Sequence, residues 1–202
     1  VPMIAAANKK IVDEGRCIRE GDAVYARALY EAETLTAAAV RTLAAAGSDV
    51  YKIDDNLDRL IDLMEQKYDV EYAPEQREAI STALQNGISI ITGGPGTGKT
   101  TVIRAICDIY SMNNIKNELY LCAPTGRAAK RMEEATGYEA KTIHRLLRYS
   151  PEYGGFEYGI DTPLPGPGLL IVDEVSMMDI ELASYLLSAA ENLQVVMVGD
   201  VD

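Results

Sequence analysis

The chain has 202 residues, 48% of them hydrophobic, enough to bury one sizeable core, or one core with a small appended module. Thirty-one acidic residues against nineteen basic ones give a net charge of −12, which excludes a uniformly basic, polyanion-binding surface. No apolar run approaches a membrane span, and the Val1-Pro2 start carries no basic stretch followed by a hydrophobic one, so a soluble, cytoplasmic protein is expected.

Residues 1 to about 70 read as a small all-helical region. Asp22 is a candidate cap for a helix with Val24, Ala28, Leu29, Ala32, Leu35, Ala39 and Leu43 along one face, and Gly47 is its natural stop. In a second helix Leu57, Leu60, Ile61, Met64 and Tyr68 recur at helical spacing, with Asp54 or Asp55 as its cap. Cys17, Cys107 and Cys122 are widely spaced within apolar patterns and read as small buried side chains, not as a zinc cluster or disulfide framework.

Pro74 fits the first turn of a third helix, which runs through Ile80 and Leu84 to a stop at Asn86-Gly87. Gln76 lies on that first turn. Its amide can both donate and accept, so it could pair with the edge of adenine or simply be an exposed helix residue.

Ile88, Ile90, Ile91 and Thr92 then read as a buried strand, and Val102, Ile103, Ala105, Ile106 and Ile109 as the inner face of a helix. Between them Gly93 to Thr100 spell G-x-x-x-x-G-K-T. Glycines allow consecutive backbone N–H groups to face one anion, and the helix N-terminus adds partial positive charge. Gly93, Gly94, Pro95, Gly96, Thr97 and Gly98, with Lys99, Thr100 and Thr101, are therefore the candidate nucleotide site. Lys99 would reach the β- and γ-phosphates, Thr100 would ligate Mg²⁺, and Thr101 would steady the α-phosphate side.

Leu119 to Ala123 is a second strand candidate, followed by Pro124-Thr125-Gly126-Arg127-Ala128-Ala129-Lys130-Arg131 at a strand-to-helix turn. Free N–H groups beside Thr125, Arg127 and Lys130 suit a phosphodiester backbone, although an exposed basic helix face is the equal alternative. Thr142 opens another helix, with Ile143, Leu146 and Leu147 inward and His144, Arg145 and Arg148 outward. From Lys116 to Arg148 there are seven basic and four acidic residues, while beyond Arg148 there are ten acids and no Lys or Arg. Any polyanion contact should fall in that basic window.

Tyr149 to Pro167 interrupts the α/β rhythm. Gly154-Gly155 is a possible hairpin turn flanked by Tyr153, Phe156 and Tyr158, with Pro163, Pro165 and Pro167 stiffening the return. Leu169 to Val172 is a buried strand ending in Asp173-Glu174. Carboxylates just past such a strand lie on the rim where the phosphate loop opens, so Asp173 can hold the Mg²⁺ shell and Glu174 can deprotonate the attacking water. A helix over 180–190 and a strand over 194–198 follow, the latter expected between the phosphate-loop and Asp173 strands, and Asp200 stands at its end as a candidate γ-phosphate sensor.

In this order APEQREAI, TGGPGTGKTT, APTGRAAKRM, KTIHRLL, IVDEVSMM and VVMVGD resemble the first half of a RecD-like DNA helicase, a 5′-to-3′ translocase of helicase superfamily 1. The resemblance is close from Tyr72 onward and includes the helical ALYEAETLTAAAVRTL stretch. It implies a RecA-like phosphate-loop lobe of α/β class over 71–202, preceded by the helical region 1–70, with ATP and Mg²⁺ as cofactors. Gln76 then matches the adenine-reading glutamine. Pro124, Thr125, Arg127 and Lys130 match one single-stranded-DNA motif, and Thr142, His144 and Arg145 another. The excursion over 149–167 falls where these helicases carry a small β-hairpin that helps part the duplex at a junction. In the family the third motif continues past Gly199-Asp200 into Gln-Leu-Pro and a second lobe that supplies arginine fingers, worth roughly 10³ to 10⁵ in rate. The chain is accordingly expected to be part of a longer helicase and, alone, to bind ATP and Mg²⁺ but hydrolyse slowly and not unwind. Two other expectations compete: the motor of a relaxase-helicase or packaging ATPase, and a non-hydrolysing ATP- and DNA-binding module.

Overall fold

A computed structural model describes residues 11–46, 56–113, 116–152 and 154–200. Its centre is a five-stranded parallel sheet in the order β3-β9-β8-β4-β5, formed by Ile88–Thr92 (β3), Glu118–Ala123 (β4), Ala140–Thr142 (β5), Gly168–Val172 (β8) and Leu193–Gly199 (β9). The RecA-like α/β class expected from the motifs is present, and β9 lies between the phosphate-loop strand and the strand carrying Asp173.

The central strands are apolar on both faces because both faces are covered. Leu169, Ile171, Val196 and Val198 point into one core with helices Leu57–Tyr68 (α2), Pro74–Gln85 (α3), Lys99–Asn113 (α4) and Gly126–Thr136 (α5). Leu170, Val172 and Val195 point into the other, with Arg27–Ala45 (α1), Ile143–Leu146 (α6) and Ile180–Ala189 (α7). Leu43 of α1 and Ile61 and Met64 of α2 are buried in these same cores, so the N-terminal helices are packed into the lobe.

Three sequence expectations need correction. Residues 17–26 are not helical: Cys17–Glu20 (β1) and Ala23–Ala26 (β2) pair antiparallel around Gly21, whose φ of +58° suits a tight turn. Asp22 is therefore a turn residue, and α1 begins at Arg27 behind an Ala26 cap position. Helical periodicity misled here because Val24, Ala28 and Ala32 fit the helical stripe although Val24 belongs to a strand. Ile90 is 68% exposed, against the buried strand expected, because β3 is the sheet edge and pairs only with β9. Leu29 and Leu35, placed on the inner face of α1, are exposed, while Ala32 and Leu43 are buried. The stop at Gly47, the caps Asp54 and Asp55, and Tyr153 lie outside the described residues.

The excursion after α6 contains a minimal hairpin, Tyr149–Ser150 (β6) against Gly155–Phe156 (β7). Cys107 and Cys122 are buried and Cys17 half-buried. Among the described residues no helix is long and apolar enough to cross a membrane.

Candidate nucleotide site and strand-facing rim

The parallel register brings the carboxyl ends of all five strands to one rim: Thr92 pairs with Gly199, Val172 with Met197 and Cys122, and Ala123 with Thr142. Beyond Thr92 the chain turns through Gly93–Gly98 into α4, whose first residue is Lys99. The Gly93 N–H donates to the Gly199 carbonyl at 3.3 Å, and Thr97 Oγ1 donates to the Gly94 carbonyl at 2.9 Å. From α3, Gln76 Nε2 donates to the Thr97 carbonyl at 2.9 Å while its Oε1 accepts the Ala73 N–H at 3.0 Å. One side chain thus caps its own helix and clamps the loop. Gly98 has φ +81°, a conformation that favours glycine, and a Cβ there would stand 2.5 Å from Gln76 Nε2 and displace the end of that side chain from the loop.

Lys99 Nζ lies 2.6 Å from the Gly93 carbonyl, 3.1 Å from the Gly94 carbonyl and 2.6 Å from Asp200 Oδ1. Its three protons are spread over these acceptors, so an incoming phosphate must compete with Asp200 for the ammonium.

Two strands away, the Asp173 N–H donates to the Cys122 carbonyl at 2.9 Å, carrying the β8–β4 ladder one residue further, and Asp173 Oδ1 accepts the Glu174 N–H at 2.9 Å. Burial pushes the Asp173 carboxyl above its ordinary range, outweighing the downward pull of the Glu174 N–H, Lys99 and Arg131. A cation placed beside it relieves that penalty. Glu174 has φ +58°, a left-handed conformation that costs a residue with a Cβ roughly 1–3 kcal/mol. Its Oε1 is 2.5 Å from Arg131 Nη2 on α5.

Lys99, Thr100, Asp173, Glu174 and Asp200 line a single cavity of about 570 Å³, together with Pro95, Gly96, Thr97, Gly98 and Thr101. Loop amides, the Lys99 ammonium and the Thr100 hydroxyl from the loop and the start of α4, with the Asp173 and Glu174 carboxylates from the end of β8, fit a polyphosphate and a divalent cation. Gly93 and Gly94 serve behind the wall through their carbonyls, and Gln76 braces the loop from outside the cavity. A second cavity of about 460 Å³ between α1, α7 and the hairpin has Glu31, Glu157, Asp161 and Glu181 in its wall and no Lys or Arg, so it repels phosphate. Sequence reading gave Arg131 no role at the cavity. The available signal was its position beside Met132, whose burial sets the edge of α5 that meets the cleft.

Along the same rim, Thr125 Oγ1 caps α5 by accepting the Ala128 N–H at 3.2 Å, and Thr142 Oγ1 caps α6 by accepting the Arg145 N–H at 3.2 Å. Both hydroxyls therefore have a structural task. Pairing of β4 with β5 sets the two turns side by side, so exposed Arg127 and Lys130 share a rim with exposed His144 and Arg145. Pro124 is half-buried at the turn. The His144 ring packs against Tyr149 and Phe156 at centroid distances of 5.6 and 5.5 Å, joining this rim to the hairpin.

Comparison with known proteins bears on this arrangement. The family described as "AAA domain" matches residues 76–202. The ATP-dependent RecD2 DNA helicase of Deinococcus radiodurans is 36% identical over 204 residues, covering 98% of this chain and 25% of the relative. The RecBCD enzyme subunit RecD of Mycolicibacterium smegmatis is 34% identical over 151 residues, 63% of this chain and 27% of the relative. That of Haemophilus influenzae is 33% identical over 160 residues, 64% of this chain and 25% of the relative. The chain thus spans about a quarter of the length of these relatives.

Proposed function

Because this chain belongs to the AAA-domain family, in its RecD-like helicase branch, we propose that it is the nucleotide-binding lobe of an ATP-dependent DNA helicase that travels 5′ to 3′. The observation that carries the reading is the convergence of Lys99, Asp173 and Glu174 on one phosphate-compatible cavity at the rim of the sheet. Loop amides and Lys99 hold the β- and γ-phosphates once Lys99 leaves Asp200. Thr100 and Asp173 hold the Mg²⁺, which neutralises charge on the phosphate oxygens. Glu174 takes the proton of the attacking water, and Asp200 registers whether the γ-phosphate is present. Gln76 meets the adenine edge with the second Nε2 proton and the second Oε1 lone pair that the loop clamp leaves over.

Single-stranded DNA lies along the rim formed by Pro124, Thr125, Arg127 and Lys130 and by Thr142, His144 and Arg145. The hairpin over 149–167 meets the duplex junction. Opening one base-pair step costs about 1.4 kcal/mol on average, so a small wedge coupled to stepping is sufficient. The test is ATP turnover by the full-length protein with and without single-stranded DNA, paired with unwinding of duplexes bearing a 5′ or a 3′ overhang. Strand-stimulated turnover that disappears in Lys99→Ala, with unwinding only from the 5′ overhang, is expected. Turnover retained in Lys99→Ala contradicts the nucleotide assignment, and unwinding from the 3′ overhang contradicts the direction.

A further inference from the structure

Arg131 joins the two halves of this rim. It lies on α5, one helical turn beyond Arg127 and next to Lys130, yet its guanidinium enters the nucleotide cavity and meets Glu174 at 2.5 Å. The buried face of α5 consists of Ala128, Ala129, Met132 and Thr136, and the two alanines seat the helix against Ala123 of β4. Arg127, Lys130 and Arg131 therefore ride on one element, two facing outward and one facing the carboxylate.

A guanidinium stays charged at any working pH, so proton transfer cannot dissolve this pair. While it persists, one Glu174 oxygen is occupied and cannot accept a proton from water at that position. The Arg131 side chain is 62% exposed and that of Glu174 30% exposed, so the pair is weak in the manner of solvent-facing ion pairs and can be displaced. Phosphates of a strand docked at Arg127 and Lys130 attract the same helix and the same cation.

We infer that Arg131 is a positioning residue that restrains Glu174 until a strand engages α5, making hydrolysis strand-dependent. This rests on the ATPase reading above. The experiment compares wild type, Arg131→Ala and Arg131→Lys in the full-length protein, measuring turnover with and without single-stranded DNA, nucleotide affinity and the urea midpoint. Lys99→Ala serves as the background. Arg131→Ala is expected to raise strand-free turnover by about three- to fivefold, the scale of one exposed ion pair, and to lower the stimulation ratio by the same factor. Arg131→Lys restores most of the ratio, with nucleotide affinity unchanged and the urea midpoint lowered by no more than the loss of one exposed ion pair. Equal loss of turnover with and without strand assigns Arg131 to the nucleotide and overturns the inference, as does a stimulation ratio identical to wild type. Wild-type protein without Lys99-dependent turnover overturns the ATPase reading and this inference together. Normal wild-type turnover with an indifferent Arg131→Ala overturns the inference alone.

Discussion

Replacing Gly98 by Ala probes the loop where its conformation is most constrained. The new Cβ meets two obstacles, a left-handed φ of +81° and Gln76 Nε2 only 2.5 Å away. The first costs roughly 1–2 kcal/mol for an L-residue. The second expels the Gln76 amide, losing its hydrogen bonds to the Thr97 carbonyl and the Ala73 N–H at about 1 kcal/mol each. The single variant should therefore lose roughly 3–4 kcal/mol, and Gln76→Ala, which sacrifices the same bonds without strain, roughly 2 kcal/mol. In the double variant the obstruction is gone, so the total stays near 3–4 kcal/mol and a coupling of about 2 kcal/mol separates it from additivity. Urea denaturation of the four proteins measures this directly, provided the slopes agree. Additive losses would show that Gln76 is not what Gly98 makes room for, and the clamp described above would be wrong.

Two further perturbations test electrostatics away from and within the cavity. Asp108, on the face of α4 away from the loop, accepts hydrogen bonds from Lys67 Nζ at 2.8 Å, Tyr138 OH at 2.8 Å and Tyr68 OH. Burial pushes its carboxyl up, but these three donors outweigh burial and hold it below its ordinary range. Its contribution is thus present above the unfolded-state pKa and lost as pH falls through the folded one. Asp108→Asn should cost about 2 kcal/mol in urea at pH 7, and the gap from wild type should narrow in acid; a pH-independent gap refutes the assignment. Asp173 has the opposite sign, because burial raises its carboxyl and its ionised form burdens the metal-free fold. Asp173→Asn should therefore raise the melting temperature without Mg²⁺ and reduce the gain on adding Mg·ATP. A lower melting temperature without metal contradicts that account.

The candidate site was legible in the sequence because the residues that line it fall in short contiguous runs. Gly93 to Thr100 are contiguous across one strand-to-helix turn, and Asp173-Glu174 directly follow four apolar residues that read as a buried strand. The order of β3, β9 and β8 was also expected, and it sets Asp200 beside Lys99 with Asp173 two strands away. What escaped depends on contacts between distant residues. The place of Arg131 beside Met132 marks an edge of α5, but it does not show that this edge meets Glu174, 43 positions later. Ile90 looks like core until the sheet order makes β3 an edge. The β1–β2 hairpin was lost because Val24 fits a helical stripe that begins, in fact, only after Ala26.

Binding and hydrolysis of ATP by Glu174→Gln, set beside Lys99→Ala, bear on the central claim most directly. Titration with a fluorescent ATP analogue and Mg²⁺, followed by single-turnover hydrolysis, should show Glu174→Gln binding as tightly as wild type with hydrolysis abolished, and Lys99→Ala losing binding. Loss of binding in Glu174→Gln, or full binding in Lys99→Ala, would mean that the triphosphate does not rest between this ammonium and this carboxylate.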